Sequence, residues 1–101
     1  MGDEDILIGR LLEDVLTLEQ LAAACPVEPA WLQRRLDEGL LPNAESVAGR
    51  WRFSSSCLQR ARRMRRIERD FEAVPELAAL VADLMEEIDD LRAQLAWHAR
   101  N

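Results

Sequence analysis

The chain has 101 residues, 49% of them hydrophobic, with 19 acidic and 13 basic residues and a formal net charge of −6. That length fits one domain with at most an appended element, and no run reaches the ~18 apolar residues that a membrane span requires. One histidine, no lysine, no tyrosine, no glycine-rich loop and no nucleophile in a recognisable motif argue against catalysis, so no enzyme activity and no cofactor are expected.

Cys25 and Cys57 stand outside any CxxC pair and far from His98 in sequence, so no metal site is expected and both read as small buried thiols. The first residues are acidic and lack the basic start of a signal peptide, which leads to the expectation of a cytoplasmic protein. The charge is divided along the chain. Residues 1–49 hold ten acids and three arginines, residues 50–69 eight arginines and one acid, and residues 70–101 eight acids and two arginines. An acidic–basic–acidic order bears more on partners than the total does.

Residues 6–16 (ILIGRLLEDVL) are apolar with interspersed charge and fit the period of either a strand or a helix. Thr17-Leu-Glu-Gln20 is a capping box that opens a first helix, with Leu18, Leu21, Ala22 and Cys25 on one face and Pro26 as its stop. Pro29 starts a second helix at a position where a missing N–H costs nothing, Trp31, Leu32 and Leu36 recur at helical spacing beside Arg35, and Gly39 ends it. Two short helices joined by a short turn form a helix-turn-helix. Asn43 to Gly49 reads as a loop, and Arg50-Trp51-Arg52-Phe53 alternates as a small β-wing with its arginines on one side.

Ser54 or Ser55 caps a third helix running to about Glu72, with Cys57 or Leu58, Ala61, Met64, Ile67 or Glu68, and Phe71 on its apolar face and Arg62, Arg63, Arg66 and Arg69 opposite. Val74-Pro75 breaks it. In the last helix Leu77, Val81, Leu84, Ile88, Leu91 and Leu95 are spaced 4, 3, 4, 3, 4, a heptad seam without exception. Such a seam needs a partner, most simply a second copy of the chain, in parallel or antiparallel pairing. His98 continues the seam, and Trp97 lies near the free end. Residues 1–16 are thus an N-terminal segment, 17–73 a winged helix-turn-helix-like module and 74–101 a dimerisation helix. The fold class is all-α.

This order of elements resembles the MerR superfamily. The stretch from Thr17 to Pro42 is similar to that family's first helix pair, with Gly39-Leu40-Leu41 at its end, and Arg52-Phe53-Ser54 is similar to the Arg-Tyr-Ser that closes its wing. Within the superfamily the chain most resembles the short CbpM modulators, through Trp51-x-Phe53, through the Arg-rich helix that runs into Asp70-Phe71-Glu72, and through its length. The resemblance implies a homodimer that binds the J-domain of a CbpA/DnaJ-like co-chaperone and inhibits it. J-domains present a basic helix, so the acidic Asp83, Glu86, Glu87, Asp89 and Asp90 are the candidate J-domain contacts. The alternative is a MerR-like transcription regulator using Gln33, Arg34, Arg35, Arg50 and Arg52 on DNA. Here Gln33-Arg34-Arg35 stands where DNA-binding members carry Arg-Tyr-Tyr.

Overall fold

The computed structural model describes residues 16–42 and 44–100; the strand-or-helix question for residues 6–15 lies outside them. The chain is mostly helical. Helix α1 spans Leu18–Ala24, α2 Pro29–Asp37, strand β1 Glu45–Val47, β2 Arg50–Arg52, α3 Ser55–Phe71 and α4 Pro75–Arg100.

Each boundary has a local cause. The Thr17 hydroxyl accepts from the Gln20 N–H at 3.1 Å, and the Thr17 N–H donates to Gln20 Oε1 at 2.9 Å, so the capping box closes. Pro29 is the first residue of α2. At its far end Gly39 adopts φ +75°, the Leu40 N–H reaches the Arg35 carbonyl and the Gly39 N–H the Leu36 carbonyl, a Schellman closure. Of the two candidate caps for α3, Ser54 is the one used, accepting from the Cys57 N–H. At the C-terminal end of α3 Glu72 turns left-handed at φ 52°, and α4 begins afresh at Pro75.

One expectation needs correction. The stretch read as a loop from Asn43 to Gly49 contains β1, which pairs antiparallel with β2 through Glu45–Arg52, Ser46–Trp51 and Val47–Arg50. The two-residue turn is Ala48-Gly49, both at positive φ, the geometry that matches strand twist. β1 was not legible because its residues are all exposed and carry no alternation of burial. Leu16 bridges Phe53, which ties the start of α1 to the end of the hairpin.

The core gathers Leu21, Ala22 and Cys25 from α1, Trp31 and Leu32 from α2, Leu41 and Phe53 from the connections, and Cys57, Ala61, Met64 and Ile67 from α3. Ala78, Ala79 and Ala82 complete it from α4. Phe71, expected on the apolar face of α3, is 76% exposed. It has the right helical phase, but it is the last residue of α3, one turn beyond the buried Ile67.

Candidate functional site

Two surfaces gather the residues with functional potential: the outer sides of α4, and the region where α2 meets α3. At 3.6 residues per turn α4 divides into three faces. The first packs on its own chain. Ala78, Ala79 and Ala82 are buried, and their small side chains let α3 approach closely. Arg60 and Arg63 of α3 reach this side. Arg60 Nη1 donates to Asp83 at 2.6 Å and to Glu86 at 3.0 Å, and Arg63 Nη2 to Asp89 at 2.6 Å.

The second face is the heptad seam. Leu77, Leu84, Ile88, Leu91 and Leu95 are between 46% and 69% exposed, whereas Val81 is partly covered by the core. Among the described residues nothing covers most of this row, and every residue from Leu91 to Arg100 is exposed. The third face carries Glu76, Glu87 and Asp90, exposed and without an ion pair among the described residues. The five carboxylates singled out in the sequence are therefore not equivalent. Asp83, Glu86 and Asp89 hold arginines of α3, and only Glu87 and Asp90 carry uncompensated charge.

The arginines of α2 and α3 split in the same way. Arg35, a candidate DNA contact from the sequence, is corrected by the structure: it is 7% exposed and turned inward. Its Nε and Nη2 donate to the two oxygens of Glu68 at 3.0 and 2.6 Å, its Nη1 donates to Glu38 at 3.0 Å, and its guanidinium lies 4.9 Å from the Trp31 ring centre. Trp31 Nε1 donates to the same Glu68 at 3.1 Å. The hydrogen bond to Glu68 is the main reason why the guanidinium's pKa rises above its ordinary value, with burial opposing it.

Arg60 is 4% exposed and also donates to the Leu40 carbonyl at 2.8 Å. Sequence reasoning missed both buried arginines as structural groups. The one available signal was an acid, Glu68, on the apolar side of α3.

Gln33 donates to Asp37 on its own helix at 2.9 Å. Arg34, Arg50 and Arg52 are exposed, and Trp51 stacks on the buried Phe53 with ring centres 6.2 Å apart. Arg62, expected on the free basic face, donates to the Ala24 carbonyl at 2.8 and 3.1 Å and so straps α3 to α1. Trp97 is 61% exposed and meets His98 edge-on.

Cys25 and Cys57 are buried free thiols. Burial pushes the Cys57 pKa up to about 12, with Cys25 adding to the rise. Burial likewise raises that of Cys25, against the pull of Arg62. Neither is a ready nucleophile. Among the described residues no group of three or more His, Cys, Asp or Glu is placed to hold a metal, and no helix is long and apolar enough to cross a membrane.

A short helix pair, a β-hairpin and a linking helix, carried on one long amphipathic helix, define a helix-turn-helix protein. Residues 16–97 match the MerR HTH family regulatory proteins, and the chain belongs to that family. No curated protein and no solved structure gives a significant match.

Proposed function

We propose that the chain is a non-enzymatic, cytoplasmic regulator that works as a homodimer, binds the J-domain of a CbpA/DnaJ-like co-chaperone and restrains its activity, as the resemblance to the CbpM modulators implies. In this reading the hairpin serves as the wing of the head, and α4 pairs with its counterpart in a coiled coil along Leu77, Val81, Leu84, Ile88, Leu91 and Leu95. The observation that carries it is the division of α4: an uncovered apolar seam lies beside a separate acidic face holding Glu87 and Asp90. A helix built this way can pair through one side and meet a basic helix with another, and complementary charge speeds such encounters. Two buried free thiols suit a reducing compartment.

The rival reading, a DNA-binding regulator, is favoured by the family and by the exposed Arg34, Arg50 and Arg52. It loses the central arginine of α2, because Arg35 is held by Glu68 and Glu38. The α2 surface also presents Asp37, which repels phosphates.

The test is a calorimetric titration of the whole protein with a folded J-domain at moderate salt. Saturable binding near one J-domain per protomer is expected, weakening with added salt. The clean variant is Glu87→Gln with Asp90→Gln, because neutralising Asp83, Glu86 or Asp89 also unpairs Arg60 or Arg63. A loss of about tenfold, roughly 1.4 kcal/mol, is expected from the pair. No heat at several temperatures would transfer the assignment to DNA. Unchanged affinity in the double variant would remove the acidic face from the interface.

A further inference from the structure

An open cleft of about 610 Å³ lies between the α1–α2 turn and α3, with Val27, Glu28, Trp31, Arg34, Arg65 and Glu68 in its walls. The charges in it are not balanced. Glu68 is spent, since both of its oxygens accept from Arg35 and one also accepts from Trp31. Glu28 stands exposed at the N-cap of α2, its side chain making no capping bond, and is the one carboxylate of the cleft left over. Against these stand Arg34 from α2 and Arg65 from α3. Arg35, Arg60, Arg63 and Arg69 each hold a carboxylate. Arg34 and Arg65, facing one cleft from two helices, hold none among the described residues, in a chain with 19 acids.

We infer that this cleft is a docking site for an acidic peptide segment of a partner protein, its carboxylates taken by Arg34 and Arg65 and its aliphatic stems lying along Val27 and the edge of Trp31. A planar guanidinium binds a carboxylate by donating two parallel hydrogen bonds, and two guanidiniums on separate helices fix the spacing of the acids they bind. Nucleic acid is the poorer occupant. Duplex binding draws on a row of phosphate contacts, whereas this cleft offers two cations, enough for two carboxylates and few for a phosphate backbone. The site is separate from the acidic face of α4 and of opposite sign, so it stands or falls independently of the co-chaperone reading.

The experiment is fluorescence anisotropy of a labelled hexaglutamate peptide with the full-length protein, with hexaglutamine and a short DNA duplex as comparison probes. Hexaglutamate is expected to bind saturably and hexaglutamine not. Arg34→Gln with Arg65→Gln should weaken binding at least ~tenfold, while Arg66→Gln, on the solvent side of α3, leaves it unchanged. Arg34 and Arg65 make no side-chain bond among the described residues, so an unchanged melting temperature will show that the double variant folds. Equal binding of the two peptides, or of wild type and double variant, overturns the inference. Duplex binding that depends on Arg34 and Arg65 while hexaglutamate fails to bind also overturns it, and gives the cleft to nucleic acid.

Discussion

The body formed by α1, α2, the hairpin and α3 and the long helix α4 treat charge and apolar surface in opposite ways. The body keeps Phe53, Leu21, Leu32, Met64 and Cys57 fully out of water and encloses two arginines with them. α4 buries only three alanines and leaves its leucines and Ile88 half in solvent. The body can enclose guanidiniums because carboxylates and a carbonyl from other elements meet them. α4 leaves its leucines exposed among the described residues, the pattern of a surface that associates. A region that answers its enclosed Arg35 and Arg60 within the chain is built for stability. A region whose apolar groups go unanswered is built for association.

The sharpest way to break this contrast is to charge the seam. Ile88→Asp, at a position 46% exposed in the protomer, should leave helicity intact and weaken self-association by ~100-fold or more, read by sedimentation velocity. If the variant sediments as the wild type does, the seam is not an interface.

The next effect lies in the body. Glu68→Ala leaves Arg35 and Trp31 Nε1 without their main acceptor in the interior and should cost about 3 kcal/mol of unfolding free energy by urea titration. Glu38→Ala removes the outer, more exposed partner of the same arginine and should cost under about 1 kcal/mol. Equal losses would show that Arg35 is not anchored by Glu68.

A smaller, graded effect comes from the thiols. Their folded pKa values are raised, so the unfolded chain releases these protons first as pH rises. Their contribution is fully present below pH 9.0, the ordinary thiol value, and declines from there to about 12, where the folded Cys57 also ionises. Cys57→Ala should flatten that alkaline decline in melting temperature. A decline of the same slope in the variant would assign it to other groups.

The smallest change is at the hairpin. Ala48 sits at φ 52°, where a Cβ is disfavoured, so Ala48→Asn should stabilise by about 0.5–1 kcal/mol.

The order and ends of the helices were legible because each has a local signal: the capping pair Thr17 and Gln20, Pro29, Gly39, Ser54, and the Val74-Pro75 break. The seam was equally plain, its period being a property of the helix alone. What was not legible depends on residues far apart in sequence. Arg35 read as a surface cation because its acceptor lies 33 positions away, and Arg60 as one arginine among eight because its acceptors lie on α4. The candidate acids of α4 likewise read as one group until α3 was placed against them. The cleft of Arg34 and Arg65 had no linear signal at all, since it exists only where two helices and a turn converge.

Arg60 has one more consequence. Its guanidinium grips the Leu40 carbonyl, in the link between α2 and the hairpin, and at the same time Asp83 and Glu86 on the long helix. Those parts meet at a single planar group, so a shift of α4 relative to α3 bears on the link that leads into the hairpin. With the buried alanines and the Arg63–Asp89 pair, that one side chain makes the placement of the long helix and the entry to the hairpin parts of the same joint.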